Sequence, residues 1–115
     1  MLIHNRDVTE ELEKKGIYTV DSIDQVRAGD NVIIRAHGIP QAEQERIEEK
    51  GANIIDATCP YVKKIHKIVS EAYQSGREVI IVGDPNHPEV KGINGWCCDK
   101  GTIINSEKEI EEFLE

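Results

Sequence analysis

Three apolar runs of this chain lead directly into residues capable of acid–base, nucleophilic or metal-binding chemistry. Val32-Ile33-Ile34 leads into Arg35-Ala36-His37-Gly38, and Ile54-Ile55 into Asp56-Ala57-Thr58-Cys59-Pro60. Val79-Ile80-Ile81-Val82 leads into Gly83-Asp84-Pro85-Asn86-His87-Pro88-Glu89. A short β-branched run followed by a helical pattern reads as a strand of a parallel α/β sheet. Ligands of such sheets bind in the crevice beyond the carboxyl ends of the strands. The sequence therefore predicts a site on that edge, built from His37, Cys59, His87 and Glu89.

Each of these residues has a functional and a structural reading. Cys59 precedes Pro60 at a predicted helix start, where first-turn amides and the helix dipole favour a thiolate, although Pro60 removes one amide. That thiolate could ligate a metal, attack an electrophile or exchange electrons; the other reading, of equal weight, is a small buried apolar residue. Glu89 could donate a proton if its surroundings raise its pKa, or it could simply favour the helix dipole from the first turn. Gly38 would let a ligand approach the backbone beside His37. Three histidines at strand ends, His4, His37 and His87, could bind an anion such as a phosphate group. Zinc held by those histidines and Cys59 lacks any short ligand spacing in its support. His66, inside the longest helical pattern, reads as a partly buried, hydrogen-bonded structural histidine. Cys97 and Cys98 read as structural or incidental thiols, and Trp96 as a cover for the core edge. No GxGxxG, Walker loop or nucleophile elbow occurs.

The elements that must position these residues are well punctuated. Asp7 can cap a helix that Gly16 closes, and Pro40 can open a second that Gly51 ends. Pro60 opens the longest, in which Tyr61, Val62, Ile65, Ile68, Val69, Ala72 and Tyr73 keep a helical period up to Gly76. Ser106 and Glu109 form a capping box before Ile110, Phe113 and Leu114. Strands are expected at 17–20, 32–35, 53–56, 79–82 and 102–105. The alternation of the two element types predicts an α/β fold with mainly parallel sheets flanked by helices. A weak internal repeat relates His4, Gly16 and Ser22 to His87, Gly101 and Ser106. It suggests that the chain covers parts of two successive units of a longer protein.

Composition narrows the class. The chain has 115 residues, 38% hydrophobic and 31% charged, which suits a globular domain. Its formal charge of −8, from 22 acidic and 14 basic residues, argues against nucleic acid as a partner. The acidic runs at 43–49 and 107–115 read as solvated helix faces. No apolar stretch approaches the ~20 residues that span a bilayer, so no membrane partner is expected. Residues 1–5 show no signal-peptide pattern, and the expected location is the cytoplasm. Three cysteines, two of them adjacent, predict free thiols rather than a disulfide framework.

Four segments, taken in order, are highly specific. Leu2-Ile3-His4-Asn5, Val32-Ile33-Ile34-Arg35-Ala36-His37-Gly38, Asp56-Ala57-Thr58-Cys59-Pro60 and Asn86-His87-Pro88-Glu89-Val90 resemble the signature segments of the LytB/IspH family, the 4-hydroxy-3-methylbut-2-enyl diphosphate reductases. The resemblance implies an enzyme of the methylerythritol phosphate route to isoprenoids. Such an enzyme reductively removes the hydroxyl group of an allylic diphosphate, giving isopentenyl and dimethylallyl diphosphate. It implies a three-unit, trefoil-like fold around a [4Fe–4S] cluster held by three cysteines, with ferredoxin or flavodoxin as electron donor. By motif, Cys59 is implied to be the middle cluster ligand. His4, His37 and His87 are implied to face the diphosphate or the substrate hydroxyl, and Glu89 to deliver the proton. Residues 1–58 would be the latter part of a first α/β unit, and 59–115 the beginning and middle of a second.

The family's first cysteine lies upstream of the Leu-Ile-His segment. Its third cysteine and a Ser-x-Asn diphosphate segment lie downstream of the stretch matched here. Cys97 and Cys98 do not stand where the third ligand belongs. One thiolate cannot hold a three-cysteine cluster, so the resemblance implies a fragment that is inactive and cluster-free in isolation. The alternative is a stand-alone α/β module that binds an anion or a partner without redox activity.

Overall fold

The structure, a computed structural model, describes residues 6–115. His4, one of the expected anion-binding histidines, lies outside the described residues. The chain opens with helix α1 (Arg6–Lys14) and a single 3-10 turn (Ile23–Gln25), followed by strand β1 (Asn31–Ile34), helix α2 (Gln41–Glu49) and strand β2 (Asn53–Asp56). Helix α3 (Pro60–Gln74) leads to strand β3 (Ile80–Val82), helix α4 (Pro88–Gly95), strand β4 (Thr102–Ile104) and helix α5 (Glu107–Leu114). Parallel neighbours need a crossover of a dozen or more residues, and α2 and α4 supply it. The result is two β-α-β units joined by α3.

The expected parallel pairing is present, split into two separate two-stranded sheets. β1 runs beside β2 with Ile34 opposite Asp56, and β3 beside β4 with Val82 opposite Ile104. His37 and Cys59 therefore follow the adjacent carboxyl ends of one sheet, while His87 and Glu89 follow the carboxyl end of β3 in the other. The radius of gyration is 16.3 Å, against roughly 13 Å for a compact domain of about 100 residues. The extents along the principal axes are 53 × 31 × 24 Å.

The punctuation works as the residues dictate. Pro60 occupies the first turn of α3, where its missing amide costs no helical bond, and Cys59 is the N-cap. Gly51 and Gly76 end α2 and α3 with φ of +81° and +77°, a left-handed conformation that glycine adopts without strain. The Ser106 side chain accepts from the Glu109 amide at 3.2 Å. Glu109 returns its carboxylate to the Asn105 amide at 2.6 Å rather than to Ser106, so the expected box is offset by one residue. Ser22 caps the 3-10 turn in the same way, with Gln25 closing a full box.

The strand expected at 17–20 does not form. A strand exists only through ladder bonds to a neighbour, and no described strand pairs with this segment. Its Ile17, Tyr18 and Val20 are exposed. In the repeat, this segment takes the place of β4, which pairs with β3. The apolar stripe of α3 also divides. Val62, His66 and Val69 are buried at helical spacing, whereas Tyr61, Ile65, Ile68 and Tyr73 are exposed.

The two units meet where the 37–40 segment passes between α3 and α4. Two glycines of α4 permit the approach. At Gly92 an added Cβ would meet the His37 carbonyl oxygen at 3.6 Å, an ordinary contact. At Gly95 it would lie 2.4 Å from Pro40 Cβ and 2.7 Å from Pro40 Cα, which backbone cannot yield cheaply. Both glycines forgo about 1 kcal/mol of helix propensity relative to alanine. Gly92→Ala is therefore expected to be neutral or stabilising by up to that amount. Gly95→Ala is expected to destabilise the chain by roughly 1–3 kcal/mol through overpacking. Urea unfolding of the two variants, run side by side, checks the opposite signs.

Candidate functional site

Asp56 ends β2 and organises the turn to α3. Its Oδ1 accepts from the Thr58 amide at 3.0 Å, and its Oδ2 pairs with Lys63 Nζ at 3.0 Å. Burial opposes ionisation of Asp56, but the hydrogen bonds from Thr58 and Lys63 and the charge of Lys63 prevail, holding its carboxyl below the ordinary value. The Asp-x-Thr spacing is an Asx turn, and it delivers Cys59 to the helix start. The Cys59 amide then donates to the Ala36 carbonyl at 2.8 Å, which ties the thiol-bearing turn to the residue before His37. Cys59 itself is half-buried.

His37 is 9% exposed. Its Nδ1 lies 3.0 Å from the Gly38 carbonyl oxygen. A carbonyl only accepts, so Nδ1 carries the hydrogen. His37 Nε2 is buried with no hydrogen-bond partner. Gly38 has φ +72°, and the space above its Cα is filled by His66, whose Cε1 would stand 2.6 Å from an added Cβ. The Thr58 methyl group would lie 3.3 Å from the same point.

His87 is the N-cap of α4, and its Nδ1 accepts from the Glu89 amide at 3.2 Å. Accepting at Nδ1 leaves the hydrogen of the neutral ring on Nε2, directed away from the helix. The side chain is exposed, whereas Glu89 is half-buried. Glu89 is near enough to act electrostatically on His66. Gly92, in the middle of α4, packs on the His37–Ile39 backbone. Cys59 and His37 thus adjoin one another, and α4, which carries Glu89, packs on the same backbone. Among the described residues, no group of three or more His, Cys, Asp or Glu side chains is placed to hold a metal ion.

His66 departs from its sequence reading. It is buried at 5% exposure, yet its Nε2 has no hydrogen-bond partner. Its ring stacks on Trp96, with centroids 5.3 Å apart and planes 16° from parallel. Trp96 is more than an edge cover, because its Nε1 donates to the Ile39 carbonyl at 2.9 Å. Helical periodicity placed His66 near the buried face, but nothing local to α3 could reveal a partner thirty residues away. Cys97 is fully buried, its Sγ 3.3 Å from the Asn94 carbonyl oxygen, and burial pushes its thiol up. Cys98 is exposed and lines a separate hollow with Glu45 and Tyr73. No helix among the described residues is long and apolar enough to cross a membrane.

The chain resembles known proteins along its whole length. A family model described as LytB protein matches residues 1–115. A 4-hydroxy-3-methylbut-2-enyl diphosphate reductase of Caldanaerobacter subterraneus subsp. tengcongensis is 49% identical over 114 residues, covering 97% of this chain and 40% of the relative. The enzyme of the same name from Clostridioides difficile is 46% identical over 112 residues, with 97% and 40% covered. The solved structure of an (E)-4-hydroxy-3-methyl-but-2-enyl diphosphate reductase superposes with a TM-score of 0.84 at 40% identity, covering 98% of this chain and 41% of the other. The Plasmodium falciparum E-1-hydroxy-2-methyl-but-2-enyl-4-diphosphate reductase gives 0.89 at 31% identity, covering 96% and 35%. The chain spans about two-fifths of the length of the curated relatives it matches.

The buried imidazole yields a pH dependence. Burial holds His66 below the ordinary histidine value of 6.5, while Asp56 and Glu89 pull in the other direction. The folded state therefore binds the His66 proton less readily than the unfolded state does. The resulting stability is fully present above pH 6.5 and is lost as pH falls through the lowered folded value. The Asp56 contribution runs in the same direction but is lost only below 3.8, as pH falls through its own lowered value. Thermal midpoints measured from about pH 8 to about pH 5 are expected to fall on the acid side, and His66→Gln to flatten that fall. An unchanged slope in the variant would assign the acid sensitivity elsewhere.

Proposed function

We propose that this chain, which belongs to the LytB family, forms part of a 4-hydroxy-3-methylbut-2-enyl diphosphate reductase. The observation that carries this reading is the junction at Gly38. There the Cys59 turn is bonded to the residue before His37, and Gly92, one turn beyond Glu89 in α4, rests on the His37–Ile39 backbone. In this reading residues 1–58 are the latter part of a first α/β unit, and 59–115 the beginning and middle of a second. Two facts support a larger whole. The relatives are some two and a half times as long, and apolar side chains on both sheets, Ile33, Ile55, Ile80 and Val82, are exposed. Parallel sheets ordinarily have both faces covered.

The substrate would be (E)-4-hydroxy-3-methylbut-2-enyl diphosphate. The reaction cleaves its allylic carbon–oxygen bond with two electrons and two protons: one proton leaves with the hydroxyl as water, and the other is taken up by the allylic carbon skeleton to form isopentenyl or dimethylallyl diphosphate. His87 can donate from Nε2 to a diphosphate oxygen. His37 presents a buried, unpartnered Nε2 to the same junction, and His4 would join them. Glu89 would give its proton to the leaving hydroxyl, which departs as water rather than hydroxide.

The donor chemistry fits an iron–sulfur cluster at one position only. Cys59 is half-buried at the N-cap of α3, outside the core, with its amide tied to the residue before His37. Cys97 is committed to the core, and Cys98 faces another hollow. Cys59 would therefore hold one corner of a [4Fe–4S] cluster, with the other two cysteines supplied from outside these residues. When bound, the cluster would supply the electrons for the cleavage, drawn from ferredoxin or flavodoxin in the cytoplasm.

The test is made on the whole reductase that contains these residues. Glu89→Gln keeps the shape but has no proton to give, and is expected to cost about 10²–10⁴ in single-turnover rate with cluster content unchanged. Cys59→Ser is expected to lose iron and sulfide. The 115-residue chain alone is expected to purify colourless and inactive. Near-normal turnover of the Gln variant would reduce Glu89 to a residue that favours the helix dipole. Stoichiometric iron and sulfide in the Ser variant would remove Cys59 from the ligand set.

A further inference from the structure

We propose that His66 and Trp96 are positioning residues that fix the His37 imidazole by gripping the backbone of Gly38 and Ile39; the proposal rests on the reading of His37 as a diphosphate-binding residue. The grip has three parts. From α3, the His66 ring edge occupies the space where a Gly38 side chain would stand, with Cε1 2.6 Å and Nε2 3.4 Å from the Cβ position. From the end of α4, Trp96 stacks on that ring and donates its Nε1 hydrogen to the Ile39 carbonyl at 2.9 Å. Between them, Gly92 lets α4 rest on the His37 carbonyl oxygen and the Gly38–Ile39 backbone.

The imidazole follows this backbone because its Nδ1 donates to the Gly38 carbonyl at 3.0 Å. Turning the Gly38 peptide therefore turns the ring and re-aims Nε2. Packing alone does not explain a histidine at position 66. Its buried Nε2 has no hydrogen-bond partner, and an apolar residue would avoid that desolvation penalty. A flat five-membered ring fits between the Gly38 Cα and the Trp96 indole, where a branched aliphatic side chain would not stack. A glycine held at φ +72° can re-orient unless its neighbours prevent it.

The experiment compares Trp96→Phe and His66→Ala in the whole reductase, each in the wild-type and the His37→Ala background. Phenylalanine keeps an aromatic stack and removes only the hydrogen bond to Ile39, so it guards against misfolding. Trp96→Phe is expected to raise KM for the allylic diphosphate and Kd for inorganic diphosphate by about fivefold to tenfold, with kcat within about twofold. In the His37→Ala background the same change is expected to have no further effect on either constant, because it acts through a side chain already removed. Its effect on the urea midpoint is expected in both backgrounds.

Equal weakening of binding in both backgrounds would overturn the proposal, as would unchanged binding in a folded Trp96→Phe variant. If His37→Ala itself leaves KM and Kd unchanged, the diphosphate reading of His37 fails. Positioning is then judged from the His37 Nδ1–H resonance in histidine-labelled protein. A shift or broadening of that signal in Trp96→Phe and His66→Ala supports the grip, and an unchanged signal overturns it.

Discussion

The close passage of the 37–40 segment between α3 and α4 is the constraint on which the rest of the structure depends. Each sheet has only two short strands and one buried face, too little to hold the units in a fixed relation. The relation comes from backbone approach, and backbone approach requires glycine. Gly38 admits the His66 ring, Gly92 admits the His37–Ile39 backbone, and Gly95 admits Pro40. The three glycines belong to different units yet serve one contact. Pro40 is also the N-cap of α2, so the residue that stiffens the entry to the first unit's helix is the one pressed against the second unit's helix. A rigid residue at the point of contact transmits position well, because little of the approach can be absorbed by local flexing.

That constraint explains why candidate residues from separate strands share a neighbourhood. Cys59 and His37 are adjacent because β1 and β2 pair in parallel and the Cys59 amide bonds to Ala36. His87 and Glu89 begin a helix in the other sheet's unit. That helix docks through Gly92 on the His37–Ile39 backbone, and Glu89 is near enough to act electrostatically on His66. The site thus has two levels of organisation: strand pairing within one unit, and glycine-mediated docking between units.

The sequence made the first level legible and left the second hidden. Pro60, Gly51 and Gly76 act locally, so their effect on α2 and α3 could be read from neighbouring residues. The carboxyl-end positions of His37, Cys59 and His87 followed from apolar runs of three or four residues. The segment at 17–20 looked like a strand because Ile17, Tyr18 and Val20 have β propensity, but propensity supplies no ladder partner. The division into two sheets was not visible, since each run reads alike whichever neighbour it finds. The contact between His66 and Trp96 stayed hidden for a related reason. Their stack joins positions thirty residues apart, and neither spacing nor composition encodes such a pair. The glycines at 92 and 95 offered a signal: two unfavourable residues in one short helix imply a close approach to that face.

The two unpartnered imidazole nitrogens define what the junction can accept. A buried polar atom without a partner costs roughly 1–3 kcal/mol, and such atoms are uncommon in native structures and call for a specific explanation. Here the two flank one glycine. They differ in consequence. Burial favours the neutral ring at His66, and its closeness to Gly38 leaves little room beside Nε2. His37 has its Nδ1 hydrogen committed to the Gly38 carbonyl. In the neutral ring, its Nε2 is then a lone pair that can only accept; in the cationic ring, Nε2 carries a hydrogen and can donate to an anion.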